Sequence, residues 1–338
     1  MLTVTARHLP DGIAVGLGGL DGRLGDRPGV HDLFVHRKVG SMKVILATDG
    51  SEASREADWF LSRLPFPEPT ELSIANVALV PSLAHLRREF PQSVNEMLDK
   101  YHARAESLLQ EEAARFEGIN GTVETCPLSG HPADELVRFA ESKGSDLIVL
   151  GARGMTATKR FLLGSVSLKV AKHAPCSVLI TRPHKEGRSS EKPLRIVVCH
   201  DGSEASRQAV EMMSRFHWGE HVEITVVNVV TVIMHPGMAI YQKTGALWDD
   251  EKRQAKEALV WAVDRLKQAT PHVNSEYRET ESIDDEILKA VEEMDADLVV
   301  LGHRGLSRID RFFLGSTSEN VLRHAPCSVW IVREELEL

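Results

Sequence analysis

Two loops of the chain carry the same glycine pattern, and this pattern is typical of sites that bind phosphate. Both have the spacing G-x2-G-x9-G-S, formed by Gly151, Gly154, Gly164 and Ser165 in the first copy and by Gly302, Gly305, Gly315 and Ser316 in the second. Glycine allows positive φ and lets phosphate oxygens approach a backbone that has no Cβ. A Gly-Ser pair that opens a helix adds free N–H groups and the helix dipole, which favour an anion. We therefore predict phosphate-binding loops, with a tight strand-to-helix connection as the structural alternative.

Charged residues near these loops extend the predicted chemistry. Asp49 and Asp201 each stand in a D-G-S segment, where a carboxylate can bond a ribose hydroxyl or lie near a metal that bridges phosphates. The alternative for Asp49 is an Asx-turn or a helix cap. Arg153 and Arg304 lie inside the loops and can reach phosphate, or can be solvated loop charges. No G-x4-G-K-[ST] motif is present and no obvious general base falls in the glycine motif, so we expect binding with slow hydrolysis at most and name no catalytic residue.

The two loops belong to two copies of one domain. MKVILATDGSEASREA at Met42 matches LRIVVCHDGSEASRQA at Leu194, and the later segments RFLLGSVS and HAPCSVLI recur as RFFLGSTS and HAPCSVWI. The copies run over 42–182 and 194–338, and residues 183–193 have the polar composition of a linker. Residues 1–41 are rich in glycine and lack a sustained period, so we expect a disordered arm or a segment upstream of the natural start.

Short apolar runs alternate with helical segments in each copy. The strands predicted for the first copy are Val44–Ala47, Leu72–Val77, Thr122–Cys126, Leu147–Leu150 and Val178–Thr181, and the helices are Ala53–Leu64, Val94–Glu117, Pro132–Ser142 and Ser165–Lys172. This order predicts an α/β fold with a parallel sheet that has helices on both faces. Ligands bind such sheets beyond the carboxyl ends of the strands, where the strand order switches, and we expect the strands before Asp49 and Gly151 to flank that point.

Composition narrows the class of protein. The chain has 338 residues and a net charge of −9, which disfavours a general nucleic-acid binder. No apolar run approaches the length of a membrane span. Its 4 cysteines are scattered, and we expect a reducing compartment, the cytoplasm.

These motifs resemble the universal stress protein family in its tandem two-domain form. The resemblance rests on the T-D-G-S opening, the two glycine patterns and the closing A-P-C-S-V segments, and it covers nearly all of 42–338. It implies two tandem Rossmann-like domains, each with a five-stranded parallel sheet, that bind ATP, usually with a divalent ion such as Mg²⁺ or Mn²⁺. The residues implied for the first site are Asp49, Val77 (through its backbone, at the adenine), Gly151, Gly154, Gly164, Ser165 and Val166. Those implied for the second are Asp201, Val229, Gly302, Gly305, Gly315, Ser316 and Thr317.

The resemblance also implies a role and an assembly. It indicates a stress-response protein, with a nucleotide-independent interaction module or a slow ATPase as alternatives. It implies pairing of the closing strands Ser177–Thr181 and Ser328–Val332 into a pseudo-dimer within the chain, and leaves a further homodimer open. His200 stands where the first copy has Thr48, and this difference predicts a second site that is altered or weaker.

Overall fold

The computed structural model describes residues 41–66, 69–79, 91–154, 163–183, 192–231, 241–305 and 314–333. The strands in these ranges are β1 (Met42–Ala47), β2 (Thr70–Ala78), β3 (Gly121–Ser129), β4 (Leu147–Gly151), β5 (Ser177–Thr181), β6 (Leu194–Cys199), β7 (Val222–Thr231), β8 (Val273–Thr280), β9 (Leu298–Gly302) and β10 (Ser328–Val332). The α-helices are α1 (Glu52–Leu61), α2 (Pro91–Ala114), α3 (Pro132–Lys143), α4 (Ser165–His173), α5 (Glu204–Arg215), α6 (Tyr241–Leu266), α7 (Ile283–Glu293) and α8 (Ser316–His324). The predicted N-terminal arm and most of the predicted linker lie outside the described residues.

Local sequence explains where the helices begin. Ser51 caps α1 by accepting a hydrogen bond from the Ser54 amide at 3.2 Å, and Ser203 caps α5 in the same way. Pro132 occupies the first turn of α3, where its missing N–H costs nothing, and Gly144 ends that helix with a left-handed φ of 59°. Short-range sequence therefore accounts for the start of these three helices.

The ten strands form one continuous sheet in the order β3-β2-β1-β4-β5-β10-β9-β6-β7-β8. Within each half of the chain all strand pairs are parallel, as the alternation of strands and helices predicts. The halves join through an antiparallel pair between β5 and β10, with Leu179 opposite Trp330. The pairing of closing strands is thus confirmed, and it merges two five-stranded sheets into one.

Each strand near the middle of the sheet is buried on both faces. Val44 and Leu46 point into a core layer that lies under α1, α2, α5 and α6, whereas Ile45 points into a second layer under α3, α4, α7 and α8. Both layers contain residues of both halves. The ring of Phe216 lies 5.5 Å from that of Trp330 across the first layer. No helix among the described residues has the length and apolar character that a membrane span requires.

Candidate functional site

The strand order places each aspartate beside its glycine loop. Strand β1 lies between β2 and β4, so the order of the strands reverses at the β1–β4 pair, where Ala47 is opposite Leu150. Asp49 and Gly151 therefore lie at the same edge of the sheet, at the expected switch point. Strands β6 and β9 repeat the arrangement and bring Asp201 beside Gly302.

The two carboxylate oxygens of Asp49 make different contacts. Asp49 Oδ1 accepts a hydrogen bond from the Ser51 amide at 3.0 Å, which is the Asx-turn that the D-G-S segment allowed, and Gly50 takes a φ of 76° there. The second oxygen faces the loop, because a Cβ built on Gly154 would lie only 2.6 Å from Asp49 Oδ2.

The second half repeats this arrangement. Asp201 Oδ1 accepts from the Ser203 amide at 3.0 Å, and a Cβ on Gly305 would lie 2.9 Å from Asp201 Oδ2. In both halves, therefore, a carboxylate oxygen lies against a backbone that has no side chain.

The motif glycines do not act through positive φ, and that part of the prediction is wrong. None of the six adopts the left-handed region, and the turn glycines Gly50 and Gly202 do instead. Gly151 is required for close packing, because a Cβ there would lie 2.4 Å from the carbonyl oxygen of Ala53 in α1. Gly302 packs against Ala205 in the same way, with the nearest backbone atom at 2.6 Å. The small size of glycine, and not its conformational freedom, explains these positions.

A backbone hydrogen bond joins the last part of each glycine loop to its first part. The Gly164 amide donates to the carbonyl of Ala152 at 2.7 Å, and the Gly315 amide donates to that of His303 at 2.8 Å. Helices α4 and α8 then begin at Ser165 and Ser316, as predicted, and no described residue provides a side-chain cap at either N-terminus. These N–H groups and the positive end of each helix dipole can receive an anion. Residues 155–162 and 306–313, between the glycines, lie outside the described residues.

Two asparagines that the motif analysis missed link the neighbouring strands at this edge. Asn76 Nδ2 donates to the carbonyl of Thr48 at 2.7 Å, and Asn228 Nδ2 donates to that of His200 at the same distance. Each precedes a predicted site residue, since Val77 and Val229 follow directly in β2 and β7. An asparagine recurring near the ends of equivalent strands was the available signal.

His200 is accommodated away from the solvent. Its side chain is 1% exposed, and Nδ1 lies 2.8 Å from Ser206 Oγ, where Thr48 Oγ1 in the first half lies 3.2 Å from Ser54 Oγ. Burial lowers its pKa to about 4, so the ring is neutral at physiological pH.

A second histidine, His303, distinguishes the two loops. It replaces Ala152 of the first half and is buried, and its Nε2 accepts a hydrogen bond from Arg304 Nε at 2.7 Å. Burial first, and the charges of Arg333 and Arg304 next, lower the pKa of His303 to about 4, which leaves a lone pair for this bond. The second loop arginine thus has an acceptor that Ala152 cannot offer to Arg153.

The carboxylates at these sites suit a divalent ion only when a bound phosphate supplies further ligands. Within the described ranges, no group of three or more His, Cys, Asp or Glu residues is arranged to hold a metal. Magnesium is commonly bound through one or two carboxylates together with substrate phosphates, and Asp49 Oδ2 or Asp201 Oδ2 can supply such a carboxylate beside each loop.

Comparison with known proteins agrees with this architecture. The family model described as Universal stress protein family matches residues 41–182 and 194–333. Universal stress protein MJ0531 of Methanocaldococcus jannaschii is 35% identical over 146 residues, covering 43% of this chain and 84% of that protein. Universal stress protein YxiE of Bacillus subtilis is 32% identical over 148 residues, covering 41% of this chain and 98% of that protein.

A solved structure matches the fold over most of the chain. The crystal structure of a universal stress protein from Archaeoglobus fulgidus covers 86% of this chain and 96% of its own, with a TM-score of 0.56 and 22% sequence identity, which supports the fold. Because the family model matches most of the chain, in two successive segments, the chain belongs to the universal stress protein family and contains two tandem copies of its domain.

Proposed function

We propose that each half of the chain binds an adenine nucleotide, ATP, and that the protein serves a cytoplasmic stress response with slow or no hydrolysis. One observation carries the proposal. At the switch point of each half, a carboxylate oxygen faces a glycine backbone beside a helix whose N-cap is a glycine, which has no side chain to cap the first amides. A Cβ at Gly154 or Gly305 would fill the space that this arrangement leaves beside Asp49 or Asp201.

The residues divide into three groups by the part of a nucleotide that they suit. The first amides of α4 and α8, with the hydroxyls of Ser165 and Ser316, suit phosphate oxygens, because a helix N-terminus favours anions. The second oxygen of Asp49 or Asp201 suits a ribose hydroxyl or a divalent ion. The proposed adenine contact is made by the backbone of Val77 and Val229. A bound Mg²⁺ or Mn²⁺ would supply positive charge to the phosphates.

Binding is favoured over turnover by what these groups can do. Amides, hydroxyls and arginines hold phosphate, but a phosphoryl transfer also needs a positioned nucleophile and stabilisation of the leaving oxygens. The first oxygen of Asp49 is already engaged by the Ser51 amide, which holds the carboxylate in a fixed orientation.

Two measurements test the proposal. Any ligand carried through purification is first extracted and identified by chromatography, and the protein is then titrated with ATP in an isothermal calorimeter. We expect up to two ATP per chain, with the second half weaker, and loss of one site in Gly154→Val and of the other in Gly305→Val. The two variants are matched controls, because each leaves one half unchanged. ADP, AMP, cAMP and GTP serve as competing ligands. Absence of binding in the folded wild-type protein would refute the proposal and favour the nucleotide-independent interaction module.

A further inference from the structure

A buried arginine follows each of the two closing strands. Arg182 comes directly after β5 and Arg333 directly after β10, and they are 6% and 7% exposed. Burying a guanidinium is costly unless its donors find acceptors. The acceptors in both cases lie in the other half of the chain.

Each arginine binds the C-terminal end of a helix that opens the other half's site. Arg182 Nη2 donates to the carbonyls of Leu322 and Arg323 in α8, at 2.8 and 3.2 Å. Arg333 Nη2 donates to those of Ala171 and Lys172 in α4, at 2.7 and 3.0 Å. A cation at a helix C-terminus satisfies its last carbonyls and interacts favourably with the dipole. The opposite ends of these two helices are the proposed anion sites.

Each arginine is also tied to the loop of its own half. The Ala152 amide donates to the carbonyl of Thr181, the residue before Arg182, at 2.8 Å. The His303 amide donates to the carbonyl of Val332, the residue before Arg333, at 2.9 Å. Each loop is therefore connected to the other half's helix by hydrogen bonds at the two ends and by the peptide link from Thr181 to Arg182, or from Val332 to Arg333, between them.

Charges near each arginine explain how an anion in one loop can affect the helix of the other half. Burial lowers the pKa of Arg182 and of Arg333, and the positive charge of Arg153 lowers the first further, as that of Arg304 does the second. An anion held in the first loop offsets the repulsion felt by Arg182. The guanidinium of Arg182 then binds the carbonyls of α8 more favourably, and the same argument links the second loop to α4.

We propose that Arg182 and Arg333 are positioning residues that couple the two sites, so that an anionic ligand bound in one half steadies the binding helix of the other. The inference rests on the proposed nucleotide binding and adds a dependence between the halves. Linkage requires the effect to be reciprocal, and couplings of this kind typically change affinity by about 5-fold or more.

Hydrogen exchange measured by mass spectrometry tests the coupling in the full-length chain. Gly305→Val blocks the second site, so that ATP fills only the first, and titration confirms one ATP per chain. We expect ATP to slow amide exchange in α8 by about 5-fold or more, although α8 belongs to the unoccupied half. Adding Arg182→Gln, which keeps a donor for the α8 carbonyls but removes the charge, should abolish this slowing while ATP still binds.

Two further variants separate coupling from a merely structural role. Arg182→Lys restores the charge and should restore the slowing. Arg333→Gln in the same background is the matched control, because Arg333 binds α4, and it should leave the response of α8 intact. If ATP binds the first site and α8 exchange does not change, or if the slowing persists in Arg182→Gln, the coupling is refuted while nucleotide binding stands. Failure of ATP to bind at all refutes the proposed function itself.

Discussion

The contact between Gly154 and Asp49 predicts how the loop responds to a single methyl group. In Gly154→Ala the new Cβ would lie 2.6 Å from Asp49 Oδ2, whereas ordinary contacts begin at 3.4 Å, so the carboxylate must move by about 0.8 Å. Moving it off its rotamer costs about 0.5–1.5 kcal/mol. Losing the 3.0 Å bond to the Ser51 amide costs a further ~0.5–1.5 kcal/mol. We therefore expect the free energy of unfolding, without nucleotide, to fall by about 1–3 kcal/mol.

A double-mutant cycle isolates this contact. Urea unfolding is measured for the wild type, Gly154→Ala, Asp49→Ala and the double variant. In the Asp49→Ala background the added methyl meets no carboxylate, so its cost should fall below about 0.5 kcal/mol, the usual limit for independent sites. The second half provides the control: at Gly305 the corresponding distance to Asp201 is 2.9 Å, so its coupling energy should be smaller. If the methyl costs as much without the Asp49 carboxylate as with it, the clash between Gly154→Ala and Asp49 is refuted as the cause of the lost stability.

Three further predictions concern stability. Gly151→Ala should lower the free energy of unfolding by about 1–3 kcal/mol with or without ATP, because its Cβ would lie 2.4 Å from a helix carbonyl that cannot turn away; unchanged urea unfolding would contradict this. Burial and the neighbouring Glu112 carboxyl raise the pKa of Asp58 from 3.8 to about 8, so the folded state binds the extra proton and stability falls as pH rises across that window. Asp58→Val, which copies Val210 of the second half, should flatten that slope in melts between pH 4 and 8, and an equal slope would count against the assignment. Burial lowers the pKa of His200 from 6.5 to about 4, so stability present above pH 6.5 is lost as pH falls toward 4; His200→Thr should reduce this loss in acid unfolding, and an undiminished loss would exclude His200 as its source.

The sequence pattern was sufficient for the element order but not for every boundary. Runs of β-branched residues predicted all five strands of the first half within a few residues. Helix α1 was expected to reach Leu64 but ends at Leu61. Leu64 is still buried, at 6% exposure, and so continues the apolar periodicity although the chain has already left the helix.

The position of the candidate site was easier to predict than the reason why its glycines are required. Spacing placed Asp49 and the glycines at one sheet edge, because parallel strands bring their carboxyl ends together. It could not reveal whether a glycine is needed for its φ or for its size, since that depends on what approaches it; at Gly151 the neighbour is α1. Nor could it reveal the bond between His303 and Arg304, which depends on a histidine ring whose pKa is lowered by burial and by the charges of Arg333 and Arg304.

The antiparallel junction of β5 and β10 has a consequence for how such a protein can change over time. In a dimer of identical chains, every substitution appears on both sides of the twofold axis and must be tolerated in both places. When the two copies are joined in one polypeptide, a substitution appears in one copy only. The junction of β5 and β10 nevertheless remains self-complementary. The two copies do differ at equivalent positions: Asp58 corresponds to Val210, and Ala152 to His303. One half can therefore acquire a new ligand preference while the other keeps the old one.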